Sequence, residues 1–413
     1  MGNARRRLVA ALLMLAIGSG CSDGQPKLSA AGTASGHDGA ASPGGEAREA
    51  VLPNEDATEA LRALPYVQWS PGADRRLRGV VLHDPARAWQ GWNLYTNDTD
   101  EAYLLGMDGR RAHTWRIPKT RRQHCEQAEL LPGGNLAVVC VNDALFVLDR
   151  RSNVLLEHRS KVHHDVAALD DGTLIVPIHA VRPYRRRMVY FDGLAWITPD
   201  GDTVRTWSAW DHLDELRPRH PPSPLDAPGE WRKLLSRSYD YYHLNTVESL
   251  PATALGERDP RFREGNLLLC MRNPALLVVL DRDTTEVVWS WGPGELDGPH
   301  MPTLLDNGRL LVFDNGTERD YSRVVELDPV SLEIVWEYRA DPPQAFHSKW
   351  RGSSQRLPNG NTLICESDTG RVFEVTREGE RVWEFWSPHL RGDRRKGIYR
   401  FIRLGAGEVS WLE

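Results

Sequence analysis

Apolar and polar residues alternate along much of this chain in short runs that are separated by turn residues. The clearest unit is an apolar strand, a tight Asp/Asn-Gly turn and a second apolar strand, found at residues 164–175 and 300–311. Later in each unit an aliphatic segment ends in Asp, and a closing strand carries a Trp, as in Glu333–Tyr338. A period of two is typical of half-buried antiparallel strands. The pattern therefore predicts repeated four-stranded antiparallel sheets.

The repeat indicates a β-propeller, because one four-stranded sheet cannot bury its faces alone and a unit of roughly 40 to 50 residues is the size of one blade. Trp289, Trp336 and Trp383 lie 47 residues apart, which is the strongest regularity in the sequence. We predict an all-β fold, a six-bladed β-propeller of four-stranded antiparallel blades. The predicted units are 92–115, 126–159, 164–207, 243–291, 300–338 and 351–386.

The first unit lacks a first strand of its own. The apolar segment 398–404 has no hairpin partner nearby, so we predict that it supplies that strand and closes the ring. Two segments interrupt the repeat, at 211–242 and 251–264. Loops of that length inside a compact fold are usually functional covers or disordered segments.

The N-terminus is predicted to be an export signal of the lipoprotein type over residues 1–21. A basic stretch with Arg5 is followed by an apolar stretch of about ten residues, too short to span a bilayer, and by small residues before Cys21. Lipidation of Cys21 would anchor the protein outside the cytoplasm, in the periplasm or at the cell surface. The alternative is a plain secretory signal with an incidental Cys.

Residues 22–65 contain no aromatic side chain and are rich in Ala, Gly, Ser and Glu, which predicts a flexible tether. The propeller domain is predicted to span 66–413. The formal charge is −6, and removal of the three arginines of the leader makes it −9. With no basic run that carries interleaved aromatic residues, a nucleic-acid partner is not expected.

Four cysteines remain after Cys21, and export would place them in an oxidising compartment. Cys125 and Cys140 flank a hairpin turn, where a cross-strand disulfide and two buried thiols are equally compatible with the sequence. The pairing of Cys270 and Cys365 is also open. The spacing of the cysteines matches no zinc motif.

Candidate chemistry comes from the histidines, of which the chain has 14. His164, His243 and His300 each stand at the opening of a unit, where equivalent positions of successive blades converge on a central channel. His163 is adjacent to His164, but alternation predicts that it points to the opposite face. His124 is a weaker candidate. Strand-face or surface positions are predicted for His83, His113, His158, His212, His220 and His389.

Arg272 strengthens this cluster, because a cation in an apolar strand requires an anionic partner or an opening. Three imidazoles and a guanidinium predict an anion-binding site that transfers protons. Metal binding by these histidines is not expected, since the arginine would repel the ion. No paired carboxylates accompany them, which argues against glycoside hydrolysis.

The motifs 243–245, 298–301, 311–316 and 355–364 resemble those of the bacterial arylsulfotransferases. The resemblance implies extracytoplasmic six-bladed propellers that move a sulfuryl group from an aryl sulfate to a phenol, independently of the nucleotide donor PAPS and without a cofactor. It implies that His300 is the nucleophile that becomes sulfated. The residues that it implies for the sulfate pocket are His243, Asn245, Arg272 and His164.

The residues beside His300 differ from the family pattern, since Pro299 and Met301 stand where Gln and a polar residue are usual. Two other functions therefore remain open. One is a non-enzymatic propeller lipoprotein that binds a ligand or acts as a scaffold in the cell envelope. The other is a sulfatase that uses water in place of the phenol.

Overall fold

The computed structural model describes residues 69–121, 123–184, 187–222 and 239–412. The predicted signal peptide, Cys21 and the tether 22–65 lie outside the described residues, as does much of the insertion 211–242. Over the described part the prediction of an all-β protein is confirmed. None of the helices described there is long and apolar enough to cross a membrane. The helical segments are Leu213–Leu216 and Ala254–Arg258, with 3₁₀ turns at Pro132–Gly134, Arg217–Arg219, Pro260–Phe262, Pro343–Ala345, Ser367–Thr369 and Ser410–Leu412.

Six sheets, each built on four antiparallel strands, lie in the described chain, and we number them 1 to 6; sheets 3 and 6 carry a fifth strand, described below. Sheet 1 consists of Phe401–Leu404, Trp92–Thr96, Glu101–Leu105 and Arg111–Arg116, and sheet 2 of Cys125–Leu131, Asn135–Cys140, Ala144–Leu148 and Val154–Arg159. Sheet 3 consists of Ala167–Ala168, Leu174–Tyr184, Arg187–Ile197 and Thr203–Ser208, and sheet 4 of Leu244–Ser249, Leu267–Met271, Leu276–Leu280 and Val287–Trp291. Sheet 5 consists of His300–Leu304, Leu310–Asp314, Arg323–Asp328 and Glu333–Tyr338, and sheet 6 of Ser353–Arg356, Thr362–Glu366, Arg371–Val375 and Arg381–Trp386.

The C-terminal strand pairs as predicted. Phe401–Leu404 is antiparallel to Trp92–Thr96 and becomes the first strand of sheet 1. The strand is shorter than the predicted segment, because residues 398–400 lie before it. The last strand of the described chain thus completes sheet 1, whose other three strands come in the sequence before the four antiparallel strands on which each of sheets 2 to 6 is built.

Each sheet packs its apolar face on the next sheet. Hydrophobic clusters lie between sheets 1 and 2, 2 and 3, 3 and 4, 4 and 5, and 5 and 6. A further cluster joins sheet 6 to sheet 1, where the ring of Phe385 lies 5.8 Å from that of Tyr95. Burial of both faces explains why middle strands such as Leu267–Met271 and Leu276–Leu280 are apolar runs, whereas an outer strand such as Glu333–Tyr338 alternates.

The regularly spaced tryptophans connect neighbouring sheets. Trp289 and Trp336, in the fourth strands of sheets 4 and 5, donate their indole N–H to the carbonyl oxygens of Pro329 (3.0 Å) and Arg377 (2.8 Å) in the turns of the following sheets. Trp383 of sheet 6 donates in the same way to the Met107 carbonyl of sheet 1, at 3.0 Å. A buried indole requires such a partner. The three tryptophans spaced 47 residues apart therefore make equivalent contacts between neighbouring sheets.

Several strands were not predicted. Gly79–His83 extends the outer edge of sheet 6, and Tyr239–Asp240 pairs in parallel with Arg187–Ile197. A separate three-stranded sheet consists of Trp69–Ser70, Arg394–Lys396 and Leu390–Arg391. Of the two possibilities open for Cys125 and Cys140, the structure has the disulfide, while Cys270 and Cys365 are buried thiols.

The first strands of sheets 4 and 5 are irregular where they approach the candidate site. The register shifts between Leu244 and Thr246 and again between His300 and Thr303. Such bulges bend a strand and redirect its side chains, and they are common beside active sites. His164 and His243 also have positive φ angles, of 60° and 55°. The backbone therefore turns at these points, and the histidines leave the strand direction.

Candidate active site

Two of the three candidate histidines occupy equivalent positions in their sheets. In sheet 3, His164 lies four residues before Ala168, the last residue of the first strand that pairs with the second strand. In sheet 5, His300 lies four residues before Leu304, which is the corresponding residue. In sheet 4 the corresponding last paired residue is Ser249, and the residue four positions before it is Asn245; His243 lies two residues earlier. Two of the three histidines are thus at the repeated position, and His243 reaches the site from the preceding turn.

The structure brings the three histidines together as predicted. The rings of His164 and His243 lie edge to face, with centroids 4.8 Å apart. All three side chains are buried. Burial is the largest effect that lowers the pKa of His300, followed by the charge of Arg272, and the charge of His243 adds to it. The sheets therefore assemble one buried site from residues that lie more than a hundred positions apart.

Asn315 fixes the orientation and the proton of His300. The amide nitrogen of Asn315 donates to the carbonyl oxygens of Ser348 (2.6 Å) and Arg351 (3.0 Å), so its oxygen must face His300 Nδ1, which lies 2.8 Å away. The carbonyl oxygen of Gly298 also accepts from Nδ1, at 3.2 Å. Because both neighbours are acceptors, Nδ1 carries the proton. The lone pair of the neutral imidazole is then at Nε2.

His243 is held by a carboxylate. Its Nδ1–H donates to Asp240 Oδ2 at 2.7 Å, and its backbone N–H donates to Oδ1 of the same residue at 3.0 Å. Burial alone would raise the pKa of Asp240, but the charge and hydrogen bond of His243 lower that pKa to about 2. The carboxylate of Asp240 therefore fixes the orientation of the His243 ring.

Arg272 follows the second strand of sheet 4 and lies beside the segment that leads to His300. Its guanidinium makes long contacts with Thr317 Oγ1 (3.5 Å) and the Lys349 carbonyl (3.4 Å) and stacks on the Trp350 ring at 5.2 Å. Gly298 has a φ of 66°, and a Cβ at this position would lie 2.7 Å from Thr317 Oγ1. Glycine therefore permits the chain to pass close to the arginine.

His164 contacts both of its histidine neighbours, and one prediction about them was wrong. His163 was expected on the opposite face, yet its Nδ1 lies 2.9 Å from Nδ1 of His164. Alternation holds only for an extended backbone, and the positive φ of His164 breaks it. Burial, followed by the charges of His243, His163 and His179, holds the pKa of His164 well below its ordinary value.

Asn245 lies in the site but faces the backbone. Its amide donates to the Pro299 carbonyl at 2.9 Å, and its oxygen accepts from the Thr246 hydroxyl at 3.0 Å. The same Thr246 oxygen accepts from the Met301 N–H at 3.0 Å. Both residues that flank His300 are thus tied to the first strand of sheet 4. A direct contact between Asn245 and substrate remains a prediction.

Two histidines outside the cluster have structural partners. His124 Nε2 lies 2.7 Å from the Glu126 carboxylate, and His158 contacts the Gly201 carbonyl at 3.2 Å. His389 was predicted at the surface but is half-buried and stacks on Tyr103, because the three-stranded sheet covers this part of the chain. Burial, followed by the charge of Lys396, lowers the pKa of His389 to about 4.

Two residues that orient the histidines, Asp240 and Asn315, were not predicted from the sequence. Asp240 lies three positions before His243, a spacing that a turn can bring into contact. Asn315 lies in the motif 311–316 that carried part of the resemblance, but no role was assigned to it. Both act through a partner histidine, so neither belongs to a recognisable pattern of catalytic residues.

The structure defines an all-β protein in which a buried group of imidazoles lies beside a guanidinium. The chain belongs to the arylsulfotransferase family, whose model matches residues 145–388. The matched range contains all five predicted site residues. No curated protein matches the chain in sequence.

Solved structures with a similar arrangement have low sequence identity. A protein of unknown function from Bacteroides caccae is 13% identical with a TM-score of 0.48, and the match covers 75% of this chain and 98% of that one. A streptogramin B lyase is 12% identical with a TM-score of 0.43, covering 77% and 86%. The β-propeller domain of Myceliophteria thermophila Cps50 (Swd1) is 13% identical with a TM-score of 0.41, covering 78% and 93%.

Proposed function

We propose that this protein is an aryl-sulfate sulfotransferase that moves a sulfuryl group from an aryl sulfate ester to a phenolic acceptor without PAPS. Family membership supports the reaction class. The observation that carries the mechanism is the fixed tautomer of His300, whose Nδ1–H faces Asn315 at 2.8 Å and leaves the lone pair on Nε2. A neutral imidazole is a competent nucleophile, and the pKa of His300 lies well below its ordinary value.

In the first half-reaction, Nε2 of His300 attacks the sulfur of the aryl sulfate. The N–S bond forms while the bond from sulfur to the aryl oxygen breaks, and its electron pair leaves on the phenolate. His243, held in place by Asp240, acts as the general acid and gives a proton to that oxygen. The product phenol departs, and the enzyme retains a sulfated His300.

In the second half-reaction, His243 takes the proton of the acceptor phenol. The acceptor oxygen attacks sulfur, the N–S bond breaks, and its electron pair returns to Nε2 of His300. Arg272 and the imidazole of His164 face the non-bridging oxygens, whose charge must be stabilised in both steps. Sulfuryl transfer, like phosphoryl transfer, depends mainly on positioning and positive charge of this kind.

The site requires a particular architecture, which we also propose. The six sheets are blades of one propeller, and pairing of Phe401–Leu404 with Trp92–Thr96 joins its end to its beginning. Packing of sheet 6 on sheet 1 supports this closure. The first strands then line the central axis, where residues from sheets 3, 4 and 5 converge.

We further propose that the protein acts outside the cytoplasm, anchored to a membrane through Cys21. The leader sequence and the Cys125–Cys140 disulfide support export to an oxidising compartment. Cys21→Ser should move the protein from the membrane fraction to the soluble fraction. An unchanged distribution would contradict lipidation at this residue. The anchor needs more than one acyl chain, because a single chain binds membranes only marginally.

One assay separates the candidate functions. The full chain, solubilised in detergent, is given 4-methylumbelliferyl sulfate with and without added phenol, beside the His83→Ala protein as a control. Fluorescence that depends on phenol supports transfer. Release without phenol favours a sulfatase. If none of many aryl sulfates is cleaved, a non-enzymatic binding protein is favoured. The presence of Pro299 and Met301 beside His300 would then explain the lack of activity.

A further inference from the structure

We propose that His163, His179 and Asp192 form a binding site for a divalent first-row transition-metal ion, with Zn²⁺ as the leading candidate. One ligand atom from each residue lies within 4.8 Å of the other two. The site is separate from the proposed sulfuryl-transfer site and does not depend on that function. It borders the site because His163 contacts His164.

The backbone of sheet 3 brings the three residues together. His179 and Asp192 face each other as a Cα pair in the long hairpin of Leu174–Tyr184 and Arg187–Ile197. The segment before His164 runs alongside, with the His163 N–H donating to the Pro177 carbonyl and the His179 N–H to the Lys161 carbonyl, each at 3.0 Å. The ligands therefore sit on a hydrogen-bonded frame, which is what a rigid metal site requires.

In each of the three residues, the side-chain nitrogen or oxygen that would not bind the ion contacts another group of the protein. His179 Nδ1 lies 2.9 Å from Asn142 Oδ1 and His163 Nδ1 lies 2.9 Å from His164, while Asp192 Oδ2 accepts from the Leu244 N–H at 3.0 Å. Outer partners of this kind orient the ligands of metal sites and fix the tautomer of their imidazoles. The remaining atoms are His163 Nε2, His179 Nε2 and Asp192 Oδ1.

Those three remaining atoms converge at distances that suit a metal ion. His163 Nε2 lies 3.3 Å from Asp192 Oδ1, and His179 Nε2 lies 3.7 Å from it. Ligand atoms bound tetrahedrally at about 2.0–2.1 Å from zinc are roughly 3.3 Å apart. The two rings are stacked with centroids 3.7 Å apart and an angle of 14° between their planes. The lone pair of an imidazole lies in the plane of its ring, so binding of one ion by both Nε2 atoms requires the two rings to tilt apart.

Both side chains are fully buried, and His163 Nε2 contacts Asp192 Oδ1 at 3.3 Å, which is a long and poorly aligned interaction for a buried ion pair. Leaving buried polar atoms unsatisfied is costly. A cation would satisfy these two atoms together with His179 Nε2.

The donor set indicates the class of ion. Two imidazoles and one carboxylate suit Zn²⁺ and other first-row divalent ions, and three protein ligands leave a coordination position open. Hard cations such as Mg²⁺ and Ca²⁺ prefer oxygen ligands and are disfavoured. Bound through Nε2, His163 would carry its proton on Nδ1 and donate it to His164. The ion would in this way position the side chain of His164.

The test measures metal and not turnover. The full chain is purified without chelators and dialysed against metal-free buffer, and its metal content is determined by mass spectrometry. We expect about one zinc per chain in wild type and in the His83→Ala control, and loss of that zinc in His179→Ala. Asp192→Asn, which can still accept from Leu244, serves if His179→Ala does not fold.

Zn²⁺ alone, added back to chelator-treated protein, should raise the melting temperature of wild type and leave that of His179→Ala unchanged. Iron or another first-row ion in place of zinc, lost in the variant, would also support the site. Wild type that retains no metal after dialysis and gains no stability from Zn²⁺ would overturn the proposal. Equal metal content in wild type and His179→Ala would overturn it as well. A sulfotransferase assay that fails would bear on neither result.

Discussion

Asn315 and His300 form a hydrogen bond that permits only one arrangement of protons. The amide N–H groups of Asn315 are taken by two backbone carbonyl oxygens, so its own oxygen faces His300 Nδ1 at 2.8 Å. Asn315 directly follows the second strand of sheet 5, and His300 is the first residue of its first strand. The contact leaves the lone pair of the neutral ring on Nε2, the nitrogen that we propose as the nucleophile.

Replacement of Asn315 should therefore slow the chemistry. Asn315→Leu keeps the size of the side chain and removes the acceptor, so His300 loses its fixed tautomer. We expect kcat to fall roughly 10- to 100-fold, the usual effect of losing an orienting partner, with a smaller change in KM. Single-turnover formation of the sulfated enzyme should slow in parallel. The exposed Asn359→Leu protein is the control, and equal rates in both variants would argue against a positioning role.

Arg272 should contribute mainly to the transition state. Arg272→Ala removes a preorganised donor from the developing charge on the sulfuryl oxygens, which costs on the order of 10²–10³-fold in kcat. Arg272→Lys should recover part of that loss, since it keeps the charge but not the planar guanidinium. Steady-state kinetics with an aryl sulfate and phenol measure both. Wild-type rates in Arg272→Ala, matching those of the exposed Arg110→Ala protein, would remove Arg272 from the mechanism.

Glu248 should make stability depend on pH. Burial raises the pKa of Glu248 to about 8, although its carboxylate accepts from the Leu304 N–H at 2.9 Å. A carboxyl whose pKa is raised by folding destabilises the folded state increasingly between its unfolded pKa and its folded pKa. The destabilisation is therefore small near pH 5 and complete above pH 8.

Glu248→Gln removes this ionisation and can still accept from Leu304. Its melting temperature relative to wild type should rise between pH 5 and pH 8. Glu248 lines a cavity of about 1300 Å³, and solvent there limits the effect to the order of 1 kcal/mol. Thermal unfolding at both pH values measures it, with the exposed Glu378→Gln as control. A difference in melting temperature that does not change with pH would contradict the raised pKa.

The strands were predictable because they follow a simple physical rule. The middle strands of each sheet are buried on both faces and are apolar runs, the outer strands alternate, and the tight Gly turns between strands are visible in the sequence. The pairing of Phe401–Leu404 with Trp92–Thr96 followed from a missing strand at one end and an unpaired strand at the other. Gly79–His83 was missed because an added edge strand completes no repeat and carries two exposed apolar residues.

Site residues were predictable from the sequence where they occupy equivalent positions of the repeated unit. His164 and His300 stand at the same place in their sheets, and that coincidence identified them. His163 was misplaced because a single left-handed residue reversed the expected direction of its side chain. His179 and Asp192 were not found, since their approach depends on the register of an unusually long hairpin. Contacts of this kind leave no spacing in the sequence.

The central claim is that His300 carries the sulfuryl group between two half-reactions. The most direct measurement is the intact mass of the protein after incubation with an aryl sulfate and no acceptor. Wild type and His83→Ala should each gain one sulfuryl group on His300, and added phenol should remove it. His300→Ala should gain no mass and show no turnover. A His300→Ala protein that transfers sulfate at the wild-type rate would contradict the covalent mechanism.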